Sequence, residues 1–137
     1  MIVFYSGPLS KNELTIRFDA DGANEFLLGV FNISKNANRS MGVECVKYSG
    51  REFVGAQIEL KRGDEERLEI NGARLTLAMS DEACEYAEFL LKKFIEDGDF
   101  SPSEFYGFSR KGRKYNTQVF FVKLSSLELL ASSNGIK

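Results

Sequence analysis

Few residues in this chain have side chains suited to chemistry. Histidine is absent from the 137 residues, which removes Ser-His-Asp triads, Cys-His dyads, zincin helices and His-bearing zinc fingers. The two cysteines, Cys45 and Cys84, lie too far apart in sequence for a metal knuckle or a redox pair, so they read as buried free thiols. The carboxylates Asp64, Glu65 and Glu66 belong to a predicted hairpin turn that cannot enclose a substrate or a metal. Asp19-Ala20-Asp21-Gly22 begins like a calcium loop but lacks the later ligands and the closing glutamate, and it reads as a turn. No glycine-rich phosphate loop follows a strand and opens a helix. The expectation is therefore a protein that is not an enzyme, with no catalytic residue, no cofactor and no metal.

Charge is distributed unevenly although the net value is only -2. Between Asp81 and Glu104 eight acidic residues face only Lys92 and Lys93, whereas Arg110 to Lys114 holds four cations and no anion. The acidic stretch offers one candidate partner-binding surface: Glu85, Glu88, Phe89, Glu96, Asp97 and Asp99. Phe89 falls among polar residues, and cover by Phe100 or Phe105 is favoured over a role as an aromatic anchor. The cations Arg110, Lys111, Arg113 and Lys114 form the alternative patch. Tyr106, Phe108 and Tyr115 flank them, a composition that suits phosphates and stacked bases. A solvated turn remains the favoured reading of that stretch, ahead of a protein partner and then of nucleic acid.

Local pattern says which elements carry these groups. Leu14 to Phe18 alternates as a half-buried strand does. Glu25 to Ser34 is apolar nearly all round; its β-branched residues and phenylalanines favour a strand over a helix. Val43 to Tyr48 and Phe53 to Lys61 read as strands, and Asn71-Gly72 joins Glu66–Ile70 to Ala73–Leu77 as a hairpin. A two-residue Asn-Gly loop sets Leu68 opposite Leu75 and Glu69 opposite Arg74. Val43 to Leu77 then forms a continuous antiparallel meander. Ser80 caps a helix from Asp81 to Asp97, which Gly98 stops. Glu104 to Ser109 and Lys114 to Lys123 read as two further strands, and residues 125–137 as a short helical or frayed tail.

The resulting fold class is α+β: a mainly antiparallel sheet, a meander, with one principal amphipathic helix packed on it, in a single domain spanning 1–137. Leu14-Thr15-Ile16 followed by Glu25-Phe26-Leu27-Leu28 echoes Leu75-Thr76-Leu77 followed by Glu88-Phe89-Leu90-Leu91. The spacing differs by two residues, so the echo reads as chance. Pro8, Ser10 and Lys11 end the N-terminal apolar run before a signal-peptide core forms, and no stretch reaches the roughly 18 apolar residues of a membrane span, so a cytoplasmic location away from membranes is expected.

The strand-rich start at Met1-Ile2-Val3-Phe4, the Leu68–Leu75 hairpin and the helix that follows it resemble the small immunity proteins that neutralise toxin domains of bacterial contact-dependent growth inhibition. That resemblance implies a non-catalytic inhibitor whose partner is a cognate toxin domain, a basic nuclease among the candidates. A nucleic-acid-binding or phage-type regulatory module using the 110–114 hairpin is the alternative.

Overall fold

The computed structural model describes residues 1–7, 10–35, 40–49, 52–100 and 103–125; the tail expected after residue 125 lies outside them. In chain order the elements are β1 (Ile2–Ser6), β2 (Glu13–Phe18), α1 (Ala20–Lys35), β3 (Ser40–Ser49), β4 (Glu52–Arg62), β5 (Arg67–Asn71), β6 (Arg74–Met79), α2 (Asp81–Asp97), β7 (Glu104–Phe108) and β8 (Thr117–Lys123). The strands form one sheet in the order β5-β6-β4-β3-β1-β2-β8-β7. A bridge between Arg67 and Ser109 brings its two edges together, so the sheet is nearly closed and barrel-like.

The α+β class holds, but the meander does not. Each chain-adjacent hairpin is antiparallel, yet the hairpins join one another through parallel pairs: β1 with β3, β2 with β8 and β4 with β6. The strand β5 thus lies outside β6 rather than beside β4.

The second correction is α1, where Glu25 to Ser34 is helical and Asp19–Gly22 is its start, not a free turn. The Asp19 carboxylate accepts the Gly22 N–H at 2.7 Å, a helix cap. Gly22, Ala23, Phe26, Gly29, Val30 and Ile33 are buried at spacings of three and four, the helical period. That inward stripe outweighs the β preference of its branched and aromatic members, because propensity is small beside burial. Gly29 is there for space: a Cβ would sit 2.8 Å from Leu60 Cδ1.

The third correction is the β5–β6 register. Asn71 pairs with Arg74 and Leu68 with Leu77, so the loop residues are Gly72 and Ala73. Only Gly72 has positive φ, +59°, and a turn with glycine alone in that region is of the II′ kind. The shift is by two residues, which keeps Leu68, Leu75 and Leu77 on the buried face. Glu69 now faces Thr76, and Arg74 instead approaches Glu59 of β4 at 3.5 Å. A smaller difference is that β8 begins at Thr117, leaving Lys114 in the preceding loop.

The two halves of the chain repeat one another. Each runs strand-strand-helix-strand-strand, and exchanging the halves maps β2–β8 onto β6–β4. Residue 19 answers to residue 80 as helix cap, and the offset of 61 holds for β2 against β6, α1 against α2 and β4 against β8, whereas β1 and β3 answer to β5 and β7 at offsets of 64 and 63. Every buried position of α1 falls on a buried position of α2: Gly22 on Ala83, Ala23 on Cys84, Phe26 on Ala87, Gly29 on Leu90, Val30 on Leu91 and Ile33 on Phe94. Single hydrogen bonds obey the same offset. The N–H of Gln57 donates to Ala73 O as that of Gln118 does to Asn12 O, and Gly63 to Met79 O as Leu124 to Phe18 O. The Leu14-Thr15-Ile16 echo with Leu75-Thr76-Leu77 is therefore a structural repeat. The helical part of the echo is coincidence, since Phe26 corresponds to Ala87 and not to Phe89.

The helices pack against each other, and their inward faces share one core with alternate residues of the strands. Ser80 caps α2 by accepting the Ala83 N–H and also contacts Glu66 through its hydroxyl. Ser80→Ala is expected to lower stability by about 1 kcal/mol, measured as a shift of the urea midpoint at constant m-value; no shift would show that the cap is dispensable.

Candidate protein-docking face on the second helix

Residues Glu85, Phe89, Lys92 and Glu96 are spaced by four, three and four, so they project along one outward stripe of α2. All four are exposed. Phe89 is 57% exposed, and the expected cover is missing because both proposed residues are used elsewhere. Phe100 stacks on Phe94 with centroids 4.4 Å apart, and Phe105 stacks on Phe121 at 4.5 Å.

The Phe89 ring instead ends an aromatic series that rises from the core: Phe121, Phe105, Tyr86, Phe89. Tyr86 lies 6.1 Å from Phe105 and 6.3 Å from Phe89, the rings nearly parallel in both pairs. Tyr106 of β7 closes the other side, at 6.1 Å from Tyr86. Together Glu82, Glu85, Tyr86, Phe89 and Tyr106 line a shallow groove of about 490 Å³. Burial, followed by the charges of Glu82 and Glu66, pushes the Tyr106 phenol above its ordinary value of 10.0. The groove thus combines an apolar floor with an acidic rim.

The remaining expected members of this surface do not join the groove. Glu88 turns toward α1, where Ser34 Oγ donates to its carboxylate at 3.5 Å. Asp97 and Asp99 are exposed at the far end of the helix, and Asp99 accepts the N–H of Phe100 at 2.8 Å. Tyr86, Glu82 and Tyr106 were not among the residues expected on this surface, Tyr106 being expected beside the 110–114 cations instead. Helical periodicity groups Tyr86 with the inward Ala83, Ala87 and Leu90, although its spacing of three from Phe89 places it at the boundary; Tyr106 arrives from a separate strand, which no local pattern shows.

The repeat supplies an internal comparison. On α1 the position of Phe89 is Leu28, 64% exposed, and those of Glu82, Glu85 and Tyr86 are Asp21, Asn24 and Glu25. Neither Leu28 nor Glu25, which answer to Phe89 and Tyr86, is aromatic. The halves share their core and diverge here, so the framework alone does not demand an aromatic at Phe89.

The basic patch is a loop between β7 and β8. Lys111, Arg113 and Lys114 are exposed, and Arg110 is half-buried; burial and then the neighbouring Arg113 lower the Arg110 pKa. None of the four pairs with a carboxylate among the described residues. Of the aromatics beside them, Phe108 is fully buried and Tyr106 belongs to the α2 groove; Tyr115 alone is exposed next to the cations, 5.6 Å from Lys114 Nζ.

Both thiols are buried and unpaired, as expected. Burial pushes Cys45 up to about 12 and, with Arg62 opposing and Glu88 and Glu66 adding, Cys84 up to about 11. At pH 8 the Cys84 thiolate then amounts to roughly one part in a thousand. Both cysteines are expected to react with a thiol reagent at pH 8 at least a hundredfold more slowly in the native protein than in urea. Equal rates would show one of them to be reactive.

Among the described residues no group of metal ligands occurs, and no helix is long and apolar enough to cross a membrane. No family model, curated protein or solved structure matches this chain.

Proposed function

We propose that this protein is a cytoplasmic, non-catalytic inhibitor that neutralises a cognate toxin domain, in the manner of the immunity proteins of contact-dependent growth inhibition, by docking it on the outer stripe of α2. The observation that carries the reading is Phe89: a large aromatic more than half exposed, seated on other rings and bordered by Glu82 and Glu85. An aromatic anchor inside a charged rim is the usual anatomy of a binding hot spot. A nuclease toxin needs a basic cleft to grip phosphates, and clustered carboxylates both oppose that cleft and speed encounter with it.

The test is protection. If a secreted protein ending in a toxin-like domain is encoded immediately upstream of this gene, cells producing that domain should grow when this protein is co-expressed, and fail when it carries Glu85→Lys with Phe89→Ala. Full protection by that variant would remove α2 from the interface. A second reading, nucleic-acid binding by the 110–114 loop, has support from four cations beside Tyr115 that have no carboxylate partner among the described residues. It is the weaker reading, because Phe108 and Tyr106 are committed elsewhere.

A further inference from the structure

The two halves depart from each other at one further place. In the first half β1 lies alongside β3 in parallel, Val3 beside Val46 and Phe4 beside Lys47. In the second half the equivalent pair, β5 with β7, is a single bridge between Arg67 and Ser109. Leu68 N–H donates to Ser109 O at 2.9 Å and Ser109 N–H to Glu66 O at 3.0 Å, and among the described residues the pairing stops there. Laying Val3–Val46 over Arg67–Ser109 puts Lys47–Ser49 over Arg110–Gly112. The first of these segments is strand; the second is a turn, closed by Arg113 N–H to Arg110 O at 3.1 Å. The covering strand is therefore shorter in the second half, and among the described residues β5 keeps an open edge.

By the alternation of a strand, residues 66, 68 and 70 direct their backbone groups to this seam while residues 67, 69 and 71 face β6. The Leu68 carbonyl and the Ile70 N–H and carbonyl thus make no hydrogen bond across the seam among the described residues. Beside them lies the basic loop, whose cations have no carboxylate partner there. Ile70 is half-buried against the core and continues the apolar row of Leu68 toward the gap.

We propose that the open edge of β5 and the adjoining Arg110–Lys114 loop accept an extended acidic peptide segment of a protein partner, added as a further strand. Unpaired main-chain donors and acceptors in a row are matched by another polypeptide backbone, which is how strand addition obtains its affinity. Alternate side chains of the incoming strand would face Ile70, and carboxylates on the segment would meet Arg110, Lys111, Arg113 and Lys114. Phosphates would engage the same cations but leave the β5 backbone groups unmatched, so a nucleic acid fits only half of the feature. This surface is independent of the α2 groove, and either can fail without the other.

The experiment titrates the isotopically labelled full-length protein with the peptide acetyl-(Glu-Val)4-amide. Amide shifts should concentrate at Leu68–Asn71 and Ser109–Lys114, and exchange of the Ile70 N–H should slow at least tenfold. Replacing the peptide's glutamates with glutamine should weaken binding at least tenfold at low salt. Ile70→Pro deletes the unpaired donor at an edge position that tolerates proline and should also lose at least tenfold. Lys111→Glu with Arg113→Glu changes only an exposed turn and should do the same should Ile70→Pro fold poorly. Peptide shifts that avoid β5, or a decathymidylate that binds the loop while the peptide does not, would overturn the proposal.

Discussion

Phe89→Ala is expected to weaken binding to the toxin domain proposed as partner by roughly 30-fold or more, about 2 kcal/mol, while leaving the melting temperature unchanged or slightly raised. The two halves of this expectation have one cause. With the ring 57% exposed, its truncation removes little that the folded chain had taken out of water, so stability has little to lose. In a complex the same ring would be covered against Tyr86 and Tyr106, and its loss would fall entirely on the bound state. Glu85→Lys should act differently, slowing association and altering its salt dependence more than it changes dissociation. Leu28→Ala provides the control, being the corresponding position of the first half, an exposed apolar side chain without an aromatic at the position that answers to Tyr86. Calorimetric titration of all three variants at two salt concentrations separates these effects. Equal losses from Phe89→Ala and Leu28→Ala would point to a nonspecific apolar contact and against the groove.

Phe18→Ala is expected to lower stability by about 3–5 kcal/mol, a large share of the 5–15 kcal/mol typical of a folded domain. Phe18 is completely buried at the end of β2. Its ring meets Phe26 of α1 at 5.1 Å and Phe121 of β8 at 5.3 Å, both edge-on, and Phe100 at 6.0 Å. It therefore ties a strand of the first half to its own helix and to the last strand of the second half. The cavity left by truncation would be bounded by other rings, which cannot fold inward to fill it. Urea unfolding reads the loss directly; a change below about 1 kcal/mol with an unaltered m-value would mean that this cluster relaxes freely. Phe18 and Phe89 are the same residue type, and only their surroundings separate the stability role expected of the first from the binding role proposed for the second.

Elements whose signal is local were legible in the chain. The caps Ser80 and Gly98 and the three-to-four spacing of Ala83, Ala87, Leu90 and Phe94 lie within one short window, and α2 has the expected bounds. The alternation of β2, β3 and β4 is equally local. The two charged surfaces were also visible, since a run of like charge is a property of sequence. The segment that became α1 was ambiguous for a physical reason: its apolar residues cover most of the helix circumference, leaving Leu28 and Phe31 outside, so periodicity alone could not choose between helix and strand.

Sequence by itself thus determined the local vocabulary: where strands alternate, where α2 starts and stops, that imidazole chemistry is absent, and that acid and base lie on separate segments. Tertiary structure alone decided how the pieces meet. The parallel pairing of β4 with β6 and β2 with β8, and the near closure at Ser109, join residues far apart in the chain, where no local preference reaches. The internal repeat stayed hidden because its halves coincide in buried shape and hydrogen bonding far more than in residue identity; Leu14 and Leu75, Thr15 and Thr76 are among the few letters retained. The exposure of Phe89 was a tertiary outcome as well. It depended on whether Phe100 and Phe105 would find partners in the core, and Phe94 and Phe121 provided them.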